Sequence, residues 1–277
     1  MKATKSQCAR PLPCAGVILV LLWLLAPLSA YAEPILQIRV DQGAYPATYK
    51  KDKQWLGMDI ELLEEFLKRA ELNYLFTEIP FQRSLLMMRE GKVHIVPNLV
   101  KNDERAEYMH WLGPTRTTCI GLVVQAQHKD LALLSTDELI DYAVNNDKKI
   151  GYLNGASYSE YFDHRLKTDT KLNDVLLFLP SNNQHREMLI RGRIFGYFYD
   201  AFEIQSRMSD PRFASLYEGL VLNAYRIEES CTGAYIGVSR QLSAHNIKLI
   251  KAAYSSMKAD GSFDAVHQKW LNKKPDF

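Results

Sequence analysis

Five consecutive residues, Gly155-Ala156-Ser157-Tyr158-Ser159, begin like the turn that presents a nucleophilic serine in many hydrolases. That turn needs a glycine two residues after the serine so that its sharp backbone can pack closely, and Ser159 stands there instead. The sequence gives Ser157 no obvious histidine base, although one that is distant in sequence could meet it in space. A hydrolase that uses Ser157 is therefore a hypothesis, and the weakest of those considered.

The same five residues also fit a turn that binds a ligand. They follow a predicted strand, Lys149–Leu153, and lead into a predicted helix. Backbone N–H groups at such a turn face outward, where they stabilise an anionic group. Ser157 as an ordinary helix N-cap is the structural alternative, and both roles can coexist.

Beyond residue 32 the sequence has two cysteines, Cys119 and Cys231. In an oxidising compartment they can form a disulfide, and two buried free thiols are the alternative. Neither has a partner at Cys-x-x-Cys spacing, and the seven histidines are scattered. The sequence therefore predicts no metal site and no cofactor.

The first 32 residues are predicted to be a cleaved signal peptide. Three basic residues precede the apolar run Gly16–Leu28, and Ala30-Tyr31-Ala32 has the small-x-small form that signal peptidase cuts. A membrane anchor is the alternative, but the apolar run is short and Pro27 interrupts it. We expect a periplasmic protein whose mature chain starts near Glu33.

Charge and length narrow the functional classes. Removing residues 1–32 takes away three basic residues and no acidic ones, which changes the formal charge from +2 to −1. Such a chain has no basic excess that would predict a nucleic-acid partner. The remaining 245 residues are enough for one large domain or for two lobes. We expect a monomer.

Strand and helix patterns alternate along the chain. Ile35–Val40 reads as an opening strand, and Gly57–Pro114 reads as helix, strand, helix, strand and short helix. This order predicts an α/β fold in which helices cover largely parallel sheets. Ligands gather at the carboxyl edges of such strands, so the loop Asp41–Pro46 is a candidate binding loop.

An ordered set of motifs resembles the type 2 periplasmic solute-binding proteins of family 3, whose better-known members bind amino acids. The motifs are Gly57-Met58-Asp59, Phe81, Gly91, Asp103-Glu104-Arg105, Trp111 with Pro114, and Gly192-Arg193-Ile194 followed by Asp200. The resemblance implies a two-lobed clamp with a hinge made of two crossover strands. It places residues 33–122 and 232–277 in one lobe and residues 123–231 in the other.

The resemblance also implies a set of ligand contacts. Arg105 would hold a ligand carboxylate, Ser157 would grip the same group from the second lobe, and Asp200 would hold a ligand ammonium. The alternatives are that Arg105 pairs with an acidic residue of its own helix, Glu104 or Asp103, and that Asp200 only caps a helix.

Two aromatic residues match the aromatic walls of the family's ligand site. Tyr45 and Phe81 would stack on the ligand, and Asn98 and Tyr158 complete the predicted contacts. The alternatives are that Tyr45 packs against Trp55 and that Phe81 belongs to the core.

Three residues depart from the family or add to its pattern. Val100 stands where amino-acid binders commonly have serine or threonine, which removes one ligand hydrogen bond. Arg83 adds a cation near the expected cleft or else faces solvent, and His94 stands where many relatives have aspartate. The sequence therefore does not decide whether the ligand is a zwitterion, a dicarboxylate-like compound or a small peptide.

We therefore expect a binding protein that performs no chemistry. It would deliver a small-molecule ligand to an ABC permease, as a transport receptor. A sensing module that signals to a membrane-bound kinase or cyclase is the alternative, since both jobs use the same clamp.

Overall fold

A computed structural model describes residues 35–271, and the predicted signal peptide lies outside them. The strands are β1 Leu36–Val40, β2 Tyr49–Lys51, β3 Gln54–Leu56, β4 Tyr74–Glu78, β5 Ile95–Leu99, β6 Met109–Thr118, β7 Ile120–Gln125, β8 Ile150–Leu153, β9 Leu176–Leu179, β10 Gly196–Asp200, β11 Leu220–Arg226 and β12 Thr232–Ser239.

The helices alternate with these strands. They are α1 Met58–Arg69, α2 Phe81–Arg89, α3 Asp103–Ala106, α4 Thr136–Asn145, α5 Glu160–Thr168, α6 Thr170–Val175, α7 Asn182–Ile190, α8 Ala201–Ser209, α9 Ala244–Ala259 and α10 Ser262–Leu271. Within residues 35–271 no helix is both long enough and apolar enough to cross a membrane.

The described strands form two five-stranded sheets and one short hairpin, β2–β3. The first sheet has the order β4-β1-β5-β12-β6, and the second has the order β11-β7-β10-β8-β9. In each sheet three neighbouring strands run parallel, β4-β1-β5 and β10-β8-β9, as the alternation of strands and helices predicts. Each sheet has its own apolar core, which helices cover.

Helix α1 begins where the backbone demands a glycine. Gly57 has φ 132°, and a Cβ there would lie 2.2 Å from the carbonyl oxygen of Ala47. The next two N–H groups, of Met58 and Asp59, donate to Pro46 and Ala47. The helix start therefore fixes the loop that follows β1, which forms part of the cavity wall.

Three helices begin at a side-chain N-cap. The side chains of Asn102, Ser135 and Ser181 accept hydrogen bonds from backbone N–H groups at the starts of α3, α4 and α7. The cap of α5 is Ser159, whose Oγ accepts from the N–H of Phe162, so the alternative that Ser157 is the cap is wrong. The extended residues 156–158 separate the strand from the helix by more than the sequence suggested.

The two chain crossings lie side by side. Strand β6 leaves the first sheet and β12 returns to it, and the two pair antiparallel, with Thr118 opposite Thr232. Cys119 and Cys231 stand next to this pair and are joined by a disulfide. The bond therefore ties the outgoing and returning segments together.

Candidate functional site

A cavity of about 120 Å³ lies between the two sheets. On this measure one water needs ~10–15 Å³, so there is room for roughly eight to twelve water-sized groups. The walls follow the carboxyl ends of β1, β5, β8, β9 and β10, where ligands of parallel sheets are expected. The polar and charged lining residues are Arg39, Asp41, Asn98, Arg105, Thr118, Ser157, Tyr158, Ser181, Asn182, Asn183, Tyr199, Asp200 and Glu203.

The two sides of the cavity contact each other directly. Arg105 Nη2 donates to the carbonyl oxygen of Gly155 over 2.9 Å, and Asn98 Nδ2 donates to Glu203 Oε1 over 2.8 Å. At the far end the hydroxyl of Tyr199 donates to the carbonyl oxygen of Gly43 over 2.7 Å. Side chains of the first sheet thus reach groups of the second, and the walls are closed together.

Arg105 is buried in the cavity wall without a carboxylate partner. Its Nη1 donates to the carbonyl oxygen of Val100 over 2.7 Å, and its Nη2 donates to Gly155. Burial lowers the pKa of Arg105, which still remains a cation at neutral pH. Glu104 pairs with Arg89 instead, so the alternative that Arg105 pairs with its helix neighbour Glu104 is wrong. These two bonds use two of the five guanidinium N–H groups, and the residue lines the cavity.

Asp200 ends β10 and caps α8. Its Oδ1 accepts from the N–H of Glu203 over 2.9 Å, and its Oδ2 accepts from the hydroxyl of Thr118. The nearest guanidinium nitrogen, Nη2 of Arg116, is 3.8 Å away. The predicted cap is therefore present, and the same carboxylate also lines the cavity.

An ion pair that the sequence analysis missed stands beside Asp200. Arg116 Nη2 lies 2.6 Å from Glu203 Oε1, and both side chains are almost fully buried. Burial raises the pKa of Glu203 well above its usual range, and the charge of Asp200 adds to this. The only sequence signal was the Asp-x-x-Glu spacing of Asp200 and Glu203, which resembles a capping box.

Phe81 and Ser157 line the cavity, as the resemblance implied. The guanidinium carbons of Arg39 and Arg105 lie 5.3 and 5.7 Å from the centre of the Phe81 ring. Ser157 donates to Asp163 Oδ2 over 2.5 Å, so towards a ligand its hydroxyl offers only lone pairs. No histidine in the described part of the chain hydrogen-bonds to Ser157, as a serine hydrolase would require.

Two predicted ligand contacts are corrected. Tyr45 does not line the cavity, because its ring packs 5.1 Å from that of Tyr49 and 5.0 Å from that of Phe213. Arg83 is exposed on α2 outside the cavity, which is the solvent-facing alternative.

The other two predicted contacts line the cavity, and His94, which departs from the family, lies outside it. Asn98 and Tyr158 line the cavity, and Asn98 has φ 60°, a left-handed conformation that asparagine tolerates better than most residues. His94 lies outside it, and its Nδ1 accepts from the N–H of Gln37 over 2.8 Å. Burial lowers the pKa of His94, which favours the neutral ring that this bond needs. The imidazole thus satisfies a backbone donor of β1.

Comparison with known proteins identifies the relatives of this fold. The model of the bacterial extracellular solute-binding proteins, family 3, matches residues 36–273. An ancestral arginine-binding protein bound to arginine has a TM-score of 0.69 at 18% identity, with 85% of this chain and 97% of that chain covered. No curated protein matches the sequence significantly.

Two further solved structures show the range of the likeness. ArtJ, the arginine-, lysine-, histidine-binding protein from the thermophilic bacterium Geobacillus stearothermophilus, has a TM-score of 0.68 at 15% identity, covering 88% of this chain and 97% of that one. A histidine kinase sensor domain with similarity to periplasmic binding proteins has a TM-score of 0.68 at 14% identity. The match covers 86% of this chain and 96% of that one. The predicted fold class, a two-lobed α/β clamp, is confirmed.

Proposed function

Because the chain belongs to the bacterial extracellular solute-binding proteins of family 3, we propose that it binds a small zwitterionic, amino-acid-like solute in the cavity. It then serves as the periplasmic receptor of an ABC transporter. Several proteins of similar structure bind amino acids or serve amino-acid transporters, which supports this class of ligand for a site of similar fold.

One observation carries the proposal: the cavity is lined by one cation and one carboxylate, Arg105 and Asp200, that have no oppositely charged group of the described residues within direct hydrogen-bond distance. Arg39 is 2.7 Å from Asp41, and Arg116 is 2.6 Å from Glu203. Arg105 has only carbonyl partners, and Asp200 accepts from a hydroxyl and a backbone N–H. Nη2 of Arg116 is 3.8 Å from Asp200 and makes its shorter contact with Glu203. A zwitterion supplies one carboxylate and one ammonium, and so matches both.

The same two residues account for closure of the clamp. Arg105 follows β5 of the first sheet, and Asp200 ends β10 of the second. A ligand held between them links the lobes, for which we retain the division at residues 33–122 with 232–277 and 123–231. The bond from Arg105 to Gly155 forms only when the lobes meet, so ligand binding and lobe contact support each other.

The likeness to a histidine kinase sensor domain supports a second candidate function, ligand sensing. In that role the closed clamp would signal to a membrane-bound receptor instead of a permease. Genes for a permease and an ATPase beside the gene would favour transport, and a receptor gene would favour sensing.

A thermal-shift screen of the mature protein against amino acids, organic acids, polyamines and short peptides tests the proposal. A ligand at 100 times its Kd adds about 2.7 kcal/mol to the free energy of unfolding. We expect a shift with at least one α-amino acid. Stabilisation by organic acids or polyamines alone would overturn the zwitterion assignment.

We further infer that the protein performs no chemistry. Ser157 donates its hydroxyl hydrogen to the Asp163 carboxylate, and no described histidine contacts Ser157 to act as the base of a serine hydrolase. Turnover of a nitrophenyl ester that is lost in a Ser157→Ala variant would contradict this.

A further inference from the structure

The end of the cavity around Arg39 offers hydrogen-bond donors. Arg39 is the last residue but one of β1 and is 6% exposed. Its Nε donates to the carbonyl oxygen of Ile79 over 3.2 Å, and its Nη2 donates to Asp41 Oδ2 over 2.7 Å. No described residue accepts a hydrogen bond from Nη1, so that nitrogen is left for a ligand.

Two carboxamides from the second sheet face the same cavity. Asn183 Oδ1 accepts from Arg186 Nη1 over 3.1 Å, and Asn182 Oδ1 lies 3.4 Å from His185 Nδ1. With their oxygens engaged by the protein, both side chains have their NH₂ groups left to offer. No described residue accepts from either NH₂ group.

The carboxylate of Asp41, which pairs with Arg39, only partly offsets the positive charge that a buried ligand would meet. The Asp41 side chain is 43% exposed, whereas that of Arg39 is 8% exposed. Water screens the charge of Asp41 more strongly than that of Arg39. Both Asp41 oxygens are also occupied, Oδ2 by Arg39 and Oδ1 by the N–H of Gly43.

We propose that this end of the cavity binds a second carboxylate, so that the ligand is a dicarboxylic amino acid, L-glutamate or L-aspartate. The inference rests on the proposed function, because the other end of the same molecule lies between Arg105 and Asp200. The guanidinium carbons of Arg39 and Arg105 lie 5.3 and 5.7 Å from the centre of the same ring, that of Phe81, so both cations belong to one wall of the cavity. A cationic side chain would instead meet Arg39 and the NH₂ groups, and is excluded by like charge.

Calorimetric titration of the mature protein with L-glutamate, L-aspartate, L-glutamine, L-arginine and glutarate tests the inference. We expect one dicarboxylic amino acid to bind at least tenfold more tightly than L-glutamine and at least a hundredfold more tightly than L-arginine. Tighter binding of L-glutamine or L-arginine would overturn the inference and leave the zwitterion proposal standing. Glutarate lacks the ammonium, so affinity equal to that of L-glutamate would overturn the zwitterion proposal instead. No binding of either dicarboxylic amino acid also overturns the inference.

Variants connect the preference to Arg39. Arg39→Met should weaken L-glutamate at least tenfold and change L-glutamine by less than threefold. Asp41→Asn removes the competing carboxylate, keeps an acceptor for Gly43, and should strengthen L-glutamate. Arg83→Met, which removes an exposed arginine outside the cavity, is the matched control and should change neither affinity. If Arg39→Met leaves the ratio of the L-glutamate and L-glutamine affinities unchanged, Arg39 does not contact the second carboxylate.

Discussion

Arg116 of strand β6 and Glu203 of helix α8 form an almost fully buried ion pair, with Nη2 of Arg116 2.6 Å from Oε1 of Glu203. The pair joins a crossover strand to the second sheet at the back of the cavity. Asn98 donates to the same Glu203 oxygen from β5 of the first sheet. Glu203 therefore connects both sheets and the crossover through one carboxylate.

Removing one partner of this pair should destabilise the protein strongly. Arg116→Met leaves Glu203 and Asp200 buried without a guanidinium, and should lower the free energy of unfolding by about 3–5 kcal/mol. The double variant Arg116→Met/Glu203→Leu should regain much of this loss, because no buried charge of the pair is left unpaired. Urea unfolding measures both. Equal stability of the two variants would show that the unpaired charge of Glu203 is not the cause of the loss.

The disulfide between Cys119 and Cys231 should stabilise the crossover. The cysteines are 112 residues apart, and for a loop of this size the chain-entropy model gives about 4–5 kcal/mol. Reduction should therefore lower the melting temperature, and a Cys119→Ala/Cys231→Ala variant should melt at the lower temperature with or without reductant. Thiol titration of the denatured, unreduced protein gives a direct check, since two reactive thiols per chain would exclude the bond.

His185 should make the second sheet acid-sensitive. The ring is fully buried and stacks 5.7 Å from that of Tyr197, and burial lowers its pKa to about 4. In the unfolded chain the pKa is about 6.5, so the unfolded state gains a proton first as the pH falls. The contribution of His185 to the free energy of unfolding is therefore fully present above about pH 6.5. It falls as the pH approaches 4, by about 3 kcal/mol in total.

The control for this prediction is His185→Phe, which keeps an aromatic ring at the position. The stability difference between this variant and the parent should change between pH 7 and pH 4, as measured by urea unfolding at both values. Acidic residues titrate in both proteins and so cancel in the comparison. If the stability difference between the two proteins is the same at pH 7 and pH 4, His185 is not the cause of the acid sensitivity.

The sequence predicted the elements better than the contacts. Patterns of apolar residues act locally, so the alternation of strands and helices was recovered, and the motif positions Phe81, Arg105 and Asp200 lie in the cavity wall. Tyr45 did not, because its neighbour Phe213 comes from a segment far along the chain. No local pattern reports such an approach.

Arg39 and Glu203 were missed for a related reason. In the sequence Arg39 is a polar residue within a strand, and Glu203 is the single acid of helix α8, at a spacing that suits a helix start. Their importance comes from burial against a second sheet, which the alternation of residues along one strand or helix cannot show. The structure brings them into one cavity with the predicted residues.

The sharpest prediction concerns the two charges assigned to the ends of the zwitterion. Asp200→Asn keeps an acceptor for the N–H of Glu203 and a partner for Thr118, but removes the negative charge. It should barely change the melting temperature of the free protein and weaken an α-amino acid ligand by about 2–5 kcal/mol, because the ligand ammonium is left buried and unpaired.

Arg105→Lys should weaken the same ligand by a similar amount, about 2–5 kcal/mol. Lysine has no rigid fork to hold a carboxylate by two parallel hydrogen bonds. It should also lower the melting temperature of the free protein, since a lysine does not reproduce the guanidinium bond to the carbonyl oxygen of Val100. Arg83→Lys, on an exposed part of α2, is the control and should leave affinity and stability unchanged. Calorimetric titration with the ligand found in the screen measures all three variants. Parent-like affinity in both Asp200→Asn and Arg105→Lys would end the zwitterion proposal, because neither charge would then contact the ligand.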